Sequence, residues 1–100
     1  MTESLAPNDD RSVSRQLMIV NKRGLHARAS AKFVQLVSGY DAAVEVEKDG
    51  VTVGGTSIMG LMMLAASPGC AISITASGTD AEAVVAALEE LVADRFGEEC

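Results

Sequence analysis

The stretch around Asp49-Gly50 constrains the fold most. Ala42, Val44 and Val46 alternate with Ala43, Glu45 and Glu47, and Asp49-Gly50 then turns the chain into Val51-Thr52-Val53. A period of two puts the apolar residues on one face of a strand and the charges on the other. Asp-Gly is a strong two-residue hairpin signal, because the favoured turn needs positive φ at both positions. A strand pair with one apolar and one charged face belongs in an antiparallel sheet covered on a single side.

The flanking segments supply the cover. Residues 13–20 read as a strand in which Leu17 and Ile19 point one way, while Arg15 and Met18 make the alternation imperfect. A helix is predicted from 27 to 37, with Ala29, Phe33, Leu36 and Val37 on its apolar face and Ser38-Gly39 at its end. Gly54-Gly55 breaks the hairpin's second strand, and Ser57 can cap a short helix from 58 to about 66. Pro68-Gly69 closes it, and Cys70, Ile72, Ile74 and Ala76 then alternate with Ala71, Ser73, Thr75 and Ser77 as a fourth strand. The last helix carries Ala81, Val84, Val85, Leu88, Leu91 and Val92 as one stripe. Thr79 and Glu82 have capping-box spacing, Asp80 and Glu82 suit the positive end, Arg95 suits the negative end, and Gly97 can stop the helix. The expected order is β-α-β-β-α-β-α, an α+β open-faced sandwich with helices on one face of a largely antiparallel sheet.

One hundred residues make one domain. Residues 1–12 are polar and read as a disordered lead-in, 13–97 as the domain and 98–100 as a frayed tail. The chain is 48% hydrophobic but 3% aromatic, which implies an aliphatic core. A formal charge of −6 and a pI near 4.6 argue against a binder of nucleic acid or anionic membrane, which needs a basic face. Cys70 reads as a small buried residue and Cys100 as frayed, so neither a disulfide between them nor a metal site is expected. No apolar run is long enough to span a membrane, and the first residues lack an apolar signal core, so the expectation is a soluble cytoplasmic protein.

The chemistry concentrates in Gly24-Leu25-His26-Ala27-Arg28-Ala29-Ser30, which holds the only histidine. Imidazole is a competent nucleophile near neutral pH. No second histidine, cysteine cluster or acid cluster accompanies His26 in the sequence, and no Ser-His-Asp or Cys-His set is evident, so metal and triad chemistry are not expected. Two readings remain: a histidine that only caps the following helix, or an imidazole that is itself modified. At a helix N-terminus the neutral nucleophile is favoured over the cation. A phosphoryl group on it gains about 0.3–1 kcal/mol from the dipole, and up to about 2 when partly buried. Arg28 can add a charge-assisted hydrogen bond, and the small Ala27, Ala29 and Ser30 leave room for a partner.

Ser57-Ile58-Met59-Gly60-Leu61-Met62-Met63-Leu64 is too short and too apolar all round to bury every side. Part of it is expected to face solvent as a methionine-rich patch suited to docking. The alternative is that all of it is core. Ser57 is explained as an N-cap worth about 1 kcal/mol. Phosphorylation there would add a charge of about −2 beside the patch. The pairs Glu45/Glu47, Glu89-Glu90 and Glu98-Glu99 read as solvated faces and a tail, and Gly54-Gly55 as a turn, not a phosphate loop.

Taken together, Gly24-Leu25-His26-Ala27-Arg28 and Thr56-Ser57-Ile58-Met59-Gly60-Leu61-Met62, in this order and frame, resemble the HPr family of histidine-containing phosphocarriers of the bacterial phosphotransferase system. The similarity runs from about Ser14 to Phe96. It implies a four-stranded antiparallel sheet under three helices, and a monomeric carrier with no cofactor and no turnover chemistry of its own. It implies that His26 takes a phosphoryl group on Nδ1 from phosphorylated enzyme I, charged by phosphoenolpyruvate, and passes it to a histidine of an enzyme IIA protein. Arg28 would assist, and Ile58, Met59 and Met62 would help form the docking surface. Ser57 would match the position that a dedicated ATP-dependent kinase modifies in some members. Ala29 stands where many members have proline, and Thr56 where many have lysine. The acidic balance and N-terminal residues resemble proteobacterial members, the nitrogen-related regulatory branch included. The alternatives are a nitrogen-type regulator uncoupled from sugar uptake, or a non-catalytic α/β interaction module in which His26 is structural.

Overall fold

Alternating apolar residues organise four strands: β1 (Val13–Met18), β2 (Ala43–Lys48), β3 (Val51–Gly54) and β4 (Ala71–Ser77). The structure is a computed structural model and describes residues 12–98. The strands form one sheet in the order β1-β4-β2-β3, with every neighbouring pair antiparallel. Three helices complete the fold: α1 (Ala27–Ser38), α2 (Ile58–Met63) and α3 (Ala81–Ala93).

The period-two pattern decides which face the helices cover. Leu17, Val44, Val46, Ile72, Ile74 and Ala76 are buried, and the register pairs Leu17 with Ile72 and Val46 with Ile74 on that face. Ser14, Gln16, Glu45 and Thr75 lie on the open face, where the Ser14 and Thr75 hydroxyls meet at 3.2 Å. Phe33 and Val37 of α1, Leu61 of α2, and Val84, Val85, Leu88 and Val92 of α3 close the core. Each large side chain fully removed from water there contributes about 1.5–3 kcal/mol. Arg15 breaks the alternation because it sits at an inward register on an edge strand, where its Nε lies 3.7 Å from Glu89 Oε2 on α3.

The hairpin forms as its sequence requires. Asp49 and Gly50 have φ of 54° and 84°, and the Gly50 amide donates to Glu47 Oε2 at 2.6 Å. The short helix is shorter than expected. α2 stops at Met63 because the Leu64 and Ala65 amides bond back only three residues, to Leu61 and Met62. Ala65 then takes φ 55° and turns Ala66 into the core.

The last helix departs from its expected caps. Asp80, not Thr79, is the N-cap, so the Thr79–Glu82 capping box does not form. The Asp80 carboxylate instead accepts from the Asp41 amide at 2.7 Å, tying α3 to the loop before β2. Arg95 lies beyond the end of α3 and not in its last turn. Gly97 does not end α3 either; it closes a separate turn, Arg95–Gly97, in which Arg95, Phe96 and Gly97 have φ of 57°, 56° and 78°. Cys70, expected to be buried, is half-buried with its thiol 3.4 Å from Ser67 Oγ. The lead-in before Ser12 and Cys100 lie outside the described residues.

Candidate functional site

A loop brings His26 to its place. Gly24 has φ 65°, and a Cβ there would sit 2.1 Å from the Ala66 carbonyl oxygen. Only a residue without a side chain lets the loop approach the chain leaving α2 so closely. The next amide, Leu25, donates to that same Ala66 carbonyl at 2.9 Å, and Leu25 itself is buried. The Ser30 hydroxyl donates to the Leu25 carbonyl at 3.2 Å, fastening the loop to α1 from the other side.

His26 is the N-cap residue of α1, in extended conformation, with its carbonyl accepting the Ser30 amide at 2.9 Å. Its side chain makes no capping bond. The amides of Ala27, Arg28 and Ala29 therefore have no intrahelical partner and stand at the positive end of the helix. Arg28 is exposed, and its guanidinium makes no ion pair with any described residue. Ala27 is exposed too, but Ala29 and Ser30 are buried, so of the three small residues expected to leave room for a partner only Ala27 does so. The first turn forms with alanine at position 29.

Glu98 changes the picture of this site. It was expected at the start of a solvated tail, yet its side chain is only 16% exposed and His26's 23%. Glu98 Oε2 lies 2.5 Å from His26 Nε2. The left-handed turn Arg95–Gly97 sends Glu98 back to the site; Phe96 is fully buried as its anchor, and Lys32 Nζ donates to the Phe96 carbonyl at 2.6 Å. Asn21, also fully buried, donates through Nδ2 to the Gly24 carbonyl at 2.8 Å and to Glu98 Oε1 at 3.2 Å. Its Oδ1 has no hydrogen-bond partner among the described residues. Burial of the Glu98 carboxyl works against its ionisation. The hydrogen bonds from His26 and Asn21, with the charges of His26 and Arg23, outweigh burial and hold the group below the usual carboxylate range.

Ser57 caps α2 as its sequence suggests, its Oγ accepting the Gly60 amide at 2.9 Å. Leu61 and Leu64 are buried, whereas Ile58, Met59, Met62 and Met63 are exposed, Met59 to 70% and Met63 to 76%. Gly60 is a close packing point as well, since a Cβ there would lie 2.9 Å from Val53 Cβ. The structure thus joins two sequence-distant segments, the His26 loop and the end of α2, through Ala66.

A family model described as "PTS HPr component phosphorylation site" matches residues 13–94. The chain belongs to the HPr family. It is similar to the "Phosphocarrier protein HPr" of Cupriavidus necator, 44% identical over 86 residues that cover 86% of this chain and 97% of that protein. A "Phosphocarrier protein NPr" of Shewanella violacea is 37% identical, covering 86% of this chain and 94% of its own length. Among solved structures, an HPr from Thermoanaerobacter tengcongensis superposes with a TM-score of 0.84 at 42% identity, covering 88% of this chain and 99% of that one. An HPr from Bacillus anthracis gives 0.78 at 43% identity, covering 81% and 96%. The HPr fold expected from the sequence is the observed one, a four-stranded antiparallel sheet with three helices. This is a component of the phosphotransferase system, a phosphocarrier that bears a phosphorylation site.

Glu98, Asn21 and Lys32 escaped the sequence reading. The signals for them were weak: a glycine at 97 and an aromatic at 96, close together after the last helix, mark a chain reversal with an anchor.

Proposed function

We propose that His26 is the phosphoacceptor and that Nδ1 is the reacting atom. The observation that carries this reading is the division of labour on the ring: Nε2 is engaged by Glu98, and Nδ1 has no hydrogen-bond partner among the described residues. The Nδ1 lone pair attacks phosphorus of the phosphoryl group carried by enzyme I, itself charged by phosphoenolpyruvate. The new N–P bond forms as the donor's bond to phosphorus breaks, and that electron pair stays on the donor. The transferred group faces the free first-turn amides of α1, and Arg28 supplies a charge-assisted hydrogen bond. The group then passes by the same displacement to a histidine of an enzyme IIA protein. The protein is a covalent intermediate in the relay and has no turnover of its own.

Ile58, Met59 and Met62 form the docking surface for enzyme I and enzyme IIA, beside the His26 loop. Modification of Ser57 by an ATP-dependent kinase would place a dianion at the rim of that surface and weaken docking.

The test is incubation with enzyme I and labelled phosphoenolpyruvate. The label is expected to be acid-labile, base-stable and absent from His26→Ala. Label retained in His26→Ala, or none in the wild type with an active enzyme I, overturns the assignment.

A further inference from the structure

We propose that Asn21 and Glu98 are positioning residues for the phosphoacceptor, a two-step relay that fixes the tautomer and orientation of His26. The inference rests on the reading of His26 as the phosphoacceptor. Which ring nitrogen of a neutral histidine carries the proton is set by the hydrogen bond the other makes. Glu98 Oε2, 2.5 Å from Nε2, is an acceptor only, so it selects the Nε2–H tautomer and leaves the lone pair on Nδ1.

Asn21 decides where that carboxylate stands. Its Nδ2 faces two acceptors, the Gly24 carbonyl and Glu98 Oε1. The opposite orientation of the amide would set Oδ1 against both. The amide is therefore held one way, with Nδ2 toward both acceptors. The chain also accepts left-handed conformations at Arg95 and Phe96, neither of them glycine, to bring Glu98 back to the site.

The charge balance gives Glu98 a second effect. When Nδ1 forms its bond to phosphorus and Nε2 keeps its proton, the ring becomes cationic. A carboxylate on Nε2–H stabilises that charge without taking the proton, the role an orienting acid has on a catalytic imidazole. The return step, in which the phosphoryl group leaves, restores the neutral ring in the same tautomer, ready for the next cycle.

Ring nitrogen NMR on uniformly 15N-labelled protein at pH 8 reads the tautomer directly. The wild type is expected to show predominantly Nε2–H. Glu98→Ala is expected to weaken that preference toward the modest one of a free imidazole and to lower enzyme I's kcat with this protein as acceptor about 10–100-fold, with the KM for this protein little changed. Glu98→Gln, whose amide oxygen still accepts from Nε2–H, is expected to keep the tautomer and to recover part of the rate. Asn21→Asp, which sets a carboxylate against Glu98, is expected to shift the tautomer in the same direction as Glu98→Ala. An Nε2–H preference and a kcat unchanged in Glu98→Ala would overturn the relay, as would a loss confined to KM. That failure is distinct from failure at His26, because labelling would still vanish in His26→Ala.

Discussion

The Leu25 amide and the Ala66 carbonyl are 2.9 Å apart, and this one bond ties the loop before His26 to the chain leaving α2. The His26 loop and an exposed apolar helix are thereby tied together, though thirty-odd residues separate them in sequence. The geometry of either depends on the other.

Gly24→Ala tests that coupling. The new methyl would meet the backbone oxygen of Ala66, which cannot swing away as a side chain could, and φ of 65° is already unfavourable for alanine. A loss of roughly 2–4 kcal/mol is expected, about 1–2 from the left-handed conformation and the rest from the displaced Leu25–Ala66 bond. Urea unfolding measures it, and a loss under about 1 kcal/mol would mean that the loop is not held this way.

Met59→Glu separates docking from folding. Met59 is 70% exposed, so the variant should unfold within about 0.5 kcal/mol of the wild type. Burial of one methionine side chain is worth about 1.5–3 kcal/mol, so enzyme I affinity should fall roughly 10- to 100-fold. Calorimetric titration reads the affinity, and an unchanged value would remove Met59 from the docking surface. Leu61→Ala, at a fully buried position of the same helix, should instead cost about 2–5 kcal/mol of stability.

Glu98 should leave a mark on stability against pH. Its folded pKa lies below the ordinary 4.5, so the unfolded chain takes up the proton first as pH falls. The stabilisation is fully present above that value and is lost as pH drops through the lower folded one. Glu98→Gln should therefore melt below the wild type at pH 7, with the gap closing under pH 4. Scanning calorimetry across that range would contradict the assignment if the gap were constant.

Cys70 should react faster than an ordinary thiol. Hydrogen bonds from the Ser67 side chain and backbone, with the Lys48 charge, hold its pKa below the usual 9.0 despite the opposing effects of burial and Asp49. A lowered pKa raises the thiolate fraction at a given pH. Iodoacetamide labelling at pH 7.5, read by peptide mapping so that Cys100 is counted apart, should slow several-fold in Ser67→Ala. Equal rates would show that Ser67 does not act on the thiol.

Much of the fold was legible because it is written in local periods. Val44 and Val46 against Glu45 and Glu47 announce a one-sided strand, and Asp49-Gly50 supplies a turn whose twist matches that of the flanking strands. Ala29, Phe33 and Val37 mark the buried side of α1 in the same way, and all three are buried. The caps were less legible. Ser57 caps α2 as read, its hydroxyl accepting the Gly60 amide three residues on, but the Asp80 carboxylate goes to Asp41, across 39 residues, and the box beside it is lost.

The sequence by itself determined the order of elements, the buried faces of the strands and of α1 and α3, and the place of His26 between a glycine loop and a helix. These follow from side-chain spacing and backbone preference, which act over a few residues. Only the tertiary structure decided what holds the imidazole. Glu98 reaches His26 across 72 residues through left-handed turns at Arg95 and Phe96, residue types that give no local sign of such a conformation. Burial of Phe96 and the Lys32 bond to its carbonyl make that turn stable, and both exist only once α1, α3 and the sheet have packed.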